Sequence, residues 1–398
     1  MKIEPIPYGR QNITDEDINA VITALKSDFL TQGPKIFEFE NKFAKYIGAK
    51  YAVAVANGTA ALHLCTLALG IKPGNKVITT PITFSASANC IRYSDGEVIF
   101  SDIDPNTFLL DINKLQELID KSPQGTYSGI IPVDFAGRSV DLEAIKRIAD
   151  KNNLWIIEDA CHAPGGFFID SKNNKQNCGN GYYADLSIFS FHPVKHIACG
   201  EGGMITTNNE KLYEKLLELR THGITRKKEN FINTIGLASG DEATFDYPEW
   251  YMEMQSLGFN YRLTDFQAAL GISQLDRADQ GLARRKEIAE TYDKAFKNKP
   301  YIIQQSGVVD GHAYHLYIIE VKNRLGLYNY LRKNSIYAQI HYIPVHLMPY
   351  YQSFGWKQGD MPNAELFYRN CISLPMYPTL KNEELNYVID KIDNFYNG

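Results

Sequence analysis

The residues of this chain that could do chemistry converge on one lysine. Residues 190–203 read SFHPVKHIACGEGG, with Lys195 between Pro193 and three glycines, Gly200, Gly202 and Gly203. The run Leu186–Phe189 reads as a buried strand, which puts Lys195 in the loop at its mouth. A lysine there is either a solvated loop residue or an amine with a task. The task would be Schiff-base formation with a cofactor aldehyde, followed by proton transfer through the same amine. Desolvation or a nearby cation lowers a lysine pKa enough for this.

Four further features fit that chemistry, and each also has a structural reading. Asp159 ends LWIIED (154–159). It is a helix-capping carboxylate or the partner of a pyridinium nitrogen, which it would keep protonated. His162 follows three residues later, as a partly buried histidine or a contact to the hydroxyl of the same ring. The turn Asn57-Gly58-Thr59-Ala60 joins a strand to a helix. Helix-start N–H groups beside a hydroxyl make an anion site, and Ser190 offers a second hydroxyl. The turn is neither a dinucleotide fingerprint nor a Walker loop. Phe84, in ITTPITFSASAN, is expected at another strand end, as a core aromatic or a ring face stacked on a planar cofactor.

Other chemistries find less support. His341 and His346 have H-x-x-x-x-H spacing without a suitably placed carboxylate, a poor metal case, and no metal is expected. No G-x-S-x-G elbow is present. The net charge is −5 with no long basic run, which speaks against nucleic acid or an acidic membrane as partner. Six scattered cysteines without C-x-x-C spacing fit a reduced cytoplasm. The N-terminal MKIEPIPYGRQ lacks the apolar core of a signal peptide, and no run approaches a membrane span.

The elements that must position these residues follow from periodicity. Thr14 caps an expected helix with apolar spacing Ile18, Val21, Ile22 and Leu25, and a second helix runs over about 36–47. From residue 51 short apolar strands alternate with helices: YAVAVA, KVITT, EVIFSDI, GIIPVDF, LWIIED, ADLSIFSF and GGMITTN. Continuous apolar strands interleaved with helices predict a mostly parallel α/β sheet covered on both faces, with ligands beyond the strand carboxyl ends. Residues 224–256 lose the pattern and read as a long functional loop or an oligomer contact. Later signals, including HLYIIEV and AQIHYIP, alternate less regularly. The expected organisation is an arm and large domain over 1–285 and a smaller α+β domain over 286–398.

Taken together, NGTAAL, TFSASAN, EDACHA, SFHPVKHIACGEGG, RTHG, GFNYRLTDFQAALGISQL, HLY, HYIP and SLPMYP resemble the sugar-nucleotide aminotransferases of the DegT/DnrJ/EryC1/StrS family. The resemblance spans nearly the whole chain in order. It implies a pyridoxal 5'-phosphate enzyme of fold type I, a homodimer with shared active sites. By position, Lys195 matches the Schiff-base lysine and Asp159 the pyridinium partner. His162 stands where many members have glutamine. Thr59, Ala60 and Ser190 match the phosphate cradle, Phe84 the stacking aromatic, and Asn260 the asparagine that reaches the phosphate of the other subunit.

IPYGRQ, VDFAGRSVDL, SFHPVK and EWYMEMQSLGFNYRL further resemble the branch that serves pseudaminic acid biosynthesis. That branch aminates C4 of a UDP-linked 4-keto-6-deoxy-N-acetyl-hexose, with L-glutamate as donor and 2-oxoglutarate as by-product. Ala198-Cys199-Gly200-Glu201 departs from the commoner T-T-G-E of the family. Tyr8, Arg10, Arg262, Gln339, His341 and Tyr342 are candidates for the sugar-nucleotide side, arginine suiting a diphosphate. Family dehydratases place histidine where Lys195 stands. A sibling keto-sugar is an alternative, and so is a cofactor-binding regulator, although the first fifty or so residues show no helix-turn-helix.

Overall fold

The computed structural model describes residues 4–398. Seven strands form the main sheet: β1 (Tyr51–Val55), β2 (Lys76–Thr79), β3 (Glu97–Phe100), β4 (Tyr127–Ile131), β5 (Trp155–Asp159), β6 (Leu186–Ser190) and β7 (Gly203–Thr207). Their spatial order is β1-β7-β6-β5-β4-β2-β3. β7 runs antiparallel to β1 and β6, and the remaining pairs are parallel. The predicted mostly parallel sheet therefore forms, with one reversed strand.

The burial pattern explains the layers. β6 and β7 are apolar or hydroxyl-bearing and almost wholly buried, which requires cover on both faces. Helix α1 (Asp15–Leu25) and α2 (Pro34–Ile47) precede the sheet, and α3 (Gly58–Ala68) follows β1. α3 is small and apolar on nearly every side, so it lies buried against β1, β6 and β7. α4 (Ala86–Tyr93) follows β2, and α5 (Asp265–Leu275) leads into α6 (Ala278–Phe296).

A second, antiparallel sheet has the order β8 (Ile302–Gln305), β9 (Tyr317–Val321), β10 (Cys371–Leu374). Its own core includes Ile288, Tyr292, Tyr317 and Ile372. Val345, Tyr351 and Phe367 instead pack into the core of the main sheet, so the late chain returns to the large layer.

The helix after Thr14 forms as expected, with its stripe Ile18, Ile22 and Leu25 exposed; it docks through buried Asp17, whose oxygens meet Arg277 at 2.9 and 2.8 Å. Two local expectations change. AQIHYIP is not a strand: the short strand ends at Tyr337, and then only Gln339 bridges to Ser373. The segment peels away and carries His341 and Tyr342 to the sheet edge. Finally, β2 stops at Thr79, so Phe84 sits in the turn before α4 rather than at a strand end.

Candidate active site

Strand direction gathers the site. The carboxyl ends of β1, β2, β4, β5 and β6 lie along one edge, and reversed β7 begins there, with Gly203 opposite both Val55 and Ser190. Along that edge lies a cavity of about 740 Å³. Lys195, Asp159, His162, Ser190 and Phe84 line it, as do Thr59 and Ala60. Tyr8, His341 and Tyr342 close it from the arm and the late chain.

Lys195 is half-buried, its loop pinned by its own N–H donating to His192 O at 2.8 Å. Burial lowers its pKa below the ordinary lysine value, opposed by the charge of Asp159. An amine so placed spends more of its time neutral and nucleophilic at physiological pH.

Asp159 is buried, yet both oxygens are satisfied. Oδ2 accepts the Ser87 hydroxyl at 2.7 Å and Oδ1 accepts the Cys161 N–H at 3.1 Å. Such donors satisfy the carboxylate away from water and fix its orientation.

His162 is buried as well. Its Nδ1 accepts the Ala136 N–H at 3.2 Å, while Nε2 lies 3.4 Å from the Tyr342 hydroxyl. Burial, then the charge of Lys195, holds its pKa well below the usual histidine range. The ring is therefore neutral, and a neutral ring that accepts at Nδ1 carries its proton on Nε2. His315 packs against it with ring centroids 4.2 Å apart and the planes tilted by 36°, and His196 lies 5.8 Å further along the row.

The anion turn forms at the start of α3. Asn57 caps the helix by accepting the Ala60 N–H at 2.8 Å. That takes Ala60 out of the donor set and leaves the N–H groups of Gly58 and Thr59 as the helix-start donors. Gly203 runs directly beneath: a Cβ there would stand 2.6 Å from the Asn57 carbonyl oxygen. This close approach gives one glycine of the Lys195 stretch its reason. Phe84 is 60% exposed, so it is a cavity wall and not a core residue.

Four predicted residues lie outside the lining of this chain's cavity. Asn260 is exposed and bridges Thr221 through its backbone, and Arg262 bridges Val55. Arg10 packs over the Tyr377 ring at 5.8 Å. Gln339 turns back on itself, its Oε1 accepting the Ile340 N–H at 3.0 Å.

The structure also recruits residues that sequence reasoning passed over. Ser87 stands in the first turn of α4, three residues after Phe84; its nearness to that residue was the available signal. Cys161, His315, His63 and Tyr261 also line the cavity, with His63 Nδ1 3.3 Å from the Tyr261 hydroxyl. Nothing in their local sequence separates them from core residues.

The strand edge that presents an amine, a held carboxylate and an anion turn to one cavity is the arrangement of pyridoxal-phosphate enzymes of fold type I. Residues 11–393 match the DegT/DnrJ/EryC1/StrS aminotransferase family, and the chain belongs to that family. It is 37% identical to the spore coat polysaccharide biosynthesis protein SpsC of Bacillus subtilis, over 99% of this chain and 97% of that one. It is 35% identical to the UDP-4-amino-4,6-dideoxy-N-acetyl-beta-L-altrosamine transaminase of Campylobacter jejuni, over 97% of this chain and 96% of that one. The Helicobacter pylori aminotransferase PseC, involved in the biosynthesis of pseudoaminic acid, superposes with a TM-score of 0.86 at 30% identity, covering 99% of this chain and 100% of that chain. Spr1654 of Streptococcus pneumoniae, solved in PLP and PMP forms, gives 0.86 in its PLP form at 27% identity, covering 99% of each chain. The chain is thus a sugar aminotransferase with pyridoxal phosphate as its cofactor.

Proposed function

We propose that this enzyme moves the amino group of L-glutamate to C4 of a UDP-linked 4-keto-6-deoxy-N-acetyl-hexose. The products are UDP-4-amino-4,6-dideoxy-N-acetyl-β-L-altrosamine and 2-oxoglutarate, on the route to pseudaminic acid in a surface glycan. The observation that carries this choice of sugar is the full-length likeness to the Campylobacter transaminase.

The residues around the cavity fit the cofactor by their chemistry. When bound, pyridoxal phosphate supplies an electron sink for the carbanion left by proton removal. Lys195 Nζ would hold the aldehyde carbon and, once released, take the proton from the donor's α-carbon. The same amine would later deliver a proton to C4 of the sugar. Asp159 would keep the ring nitrogen protonated, with Ser87 and the Cys161 N–H holding the carboxylate in place and aimed. His162 Nε2–H would meet the ring hydroxyl. The N–H groups of Gly58 and Thr59, with the hydroxyls of Thr59 and Ser190, would take the phosphate, and Ala60 would border it. Phe84 would cover one ring face.

Tyr8, His341 and Tyr342 would border the sugar, and Arg10, Arg262 and Gln339, outside the cavity lining of their own chain, are proposed for the nucleotide. The working form in this reading is a homodimer in which Asn260 of the partner subunit reaches the phosphate. The exposed apolar stripe of α1 and the exposed Ile232, Phe245 and Trp250 support it as surface in need of cover. The six free cysteines support a cytoplasmic setting, and no helix among the described residues is long and apolar enough to cross a membrane. A division near residue 286 has the separate core around β8–β10 in its favour.

Incubation with L-glutamate and a panel of UDP-4-keto-6-deoxy-N-acetyl sugars tests the proposal, with product mass and C4 configuration read by NMR. The altrosamine product is expected. Amination at C3, or of another configuration alone, would overturn the choice of sugar.

A further inference from the structure

Behind the cavity, on the opposite face of β5 from Asp159, three buried groups cluster. Asp134, Glu158 and Cys178 have their ligand-type atoms within 4.8 Å of one another, and the carboxylates are 0% and 1% exposed. Their hydrogen bonds are unequal. Glu158 Oε2 accepts the Ser187 hydroxyl at 2.7 Å, and the Gly179 N–H reaches Oε1 at 2.9 Å and Oε2 at 3.0 Å. Asp134 Oδ1 accepts the Val140 N–H at 2.9 Å, while its Oδ2 is buried without a partner. Two carboxylates this close in a dry site cannot both be ionised. Burial, then the charge of Glu158, pushes Asp134 upward. Burial pushes Glu158 upward as well, but Glu158 holds the hydrogen-bond donors and Asp134 Oδ2 holds none, so the geometry favours Asp134 as the protonated member. With Glu158's oxygens already taken by N–H and O–H donors, the cluster is not arranged as a cation site.

Asp134 also begins a strained turn that touches the catalytic edge at several points. Its N–H donates to Asp159 O at 3.0 Å. Ala136 adopts φ +61°, costly for a residue with a Cβ, and from there its N–H reaches His162 Nδ1. Ala136 and Gly137 carbonyls accept Leu316 N–H at 3.1 Å and Ala313 N–H at 2.8 Å, which ties in the segment bearing His315. Something must hold this conformation. Beside those backbone bonds, the fully buried side chain at the head of the turn bonds forward to Val140.

We propose that Asp134 is a positioning residue for His162: by pinning the 134–137 turn it keeps the Ala136 N–H on Nδ1 and the ring's single proton on Nε2, on the cavity side. The proposal deepens the cofactor reading only in its binding arm; the tautomer itself is a property of this chain.

The test is the His162 tautomer in the 15N-histidine-labelled full chain, with His162→Gln to assign the signal. The wild type is expected to show Nε2–H at pH 7. Asp134→Asn, the neutral isostere, is expected to keep it and bind pyridoxal phosphate as the wild type does. Asp134→Ala, with an unchanged circular dichroism spectrum, is expected to mix the two tautomers and to weaken binding up to about tenfold, the value of one hydrogen bond. Asp134→Ser is read the same way if the alanine variant does not fold. An Nδ1–H signal in the wild type, or a wild-type tautomer in a folded alanine or serine variant, overturns the proposal. Loss of binding with the tautomer unchanged would count against Asp134's role and leave the cofactor site standing.

Discussion

The Ser87 hydroxyl donates to Asp159 Oδ2 at 2.7 Å across 72 residues of chain, with Thr83 Oγ1 a further 2.8 Å behind it. A helix start after β2 thus aims the carboxylate at the end of β5. A hydrogen bond to a charged group is worth about 1.5–3 kcal/mol, which is about 10- to 150-fold if expressed in the rate. Ser87→Ala is expected to lower kcat by that order. An unchanged kcat would show that Asp159 needs no such support.

Gly203→Ala should strike the anion turn from below. The new Cβ would meet the Asn57 carbonyl oxygen at 2.6 Å and the Gly58 nitrogen at 2.9 Å, both backbone atoms that cannot rotate away. Overpacking of this kind costs about 1–3 kcal/mol, so the Kd for pyridoxal phosphate is expected to rise about 5- to 150-fold. Equilibrium dialysis with the purified apoenzyme measures it.

Acid should destabilise the fold before it protonates the site. Burial lowers His312 and His341 from 6.5 to about 3, and both rings are 7% exposed. Below pH 6.5 the unfolded chain binds protons that the folded chain refuses, so stability falls as pH falls toward about 3. Each of the two should cost about 2 kcal/mol between pH 7 and pH 5. His162, His196 and His315 are shifted the same way and add to the loss. Urea midpoints at the two pH values check it; equal midpoints would mean that these rings are not neutral when folded.

Mixing subunits tests the shared site. Asn260 is exposed and outside its own chain's cavity, whereas Lys195 lines it. Asn260→Ala and Lys195→Ala chains are each expected to be poor catalysts alone. Co-refolded heterodimers should regain up to about half of the activity per site pair, since one of the two sites would be intact. No recovery in confirmed heterodimers would assign Asn260 to its own chain.

Much of the site could be read locally. The alternation of YAVAVA, LWIIED and ADLSIFSF with helical stretches depends on periodicity within a few residues, and the strands form where it points. Lys195, Asp159 and the Asn57–Ala60 turn stand at strand mouths for the same reason. What local reading left open or missed was decided by remote contacts. The apolar spacing of α1 marks a helix, which forms, but the face by which it docks is set by the Asp17–Arg277 pair. AQIHYIP alternates like a strand but bridges at one residue only.

The sequence by itself determined which chemical groups are present and that they sit at the ends of strands in a parallel sheet, because strand period and turn residues act over short range. Only the tertiary structure decided their partners. The strand order β6-β5-β4-β2 sets the Ser87 hydroxyl on Asp159 and the Ala136 N–H on His162. The antiparallel entry of β7 sets Gly203 beneath Asn57. These contacts join segments far apart in the chain, and their distances follow from sheet register, which no local pattern encodes.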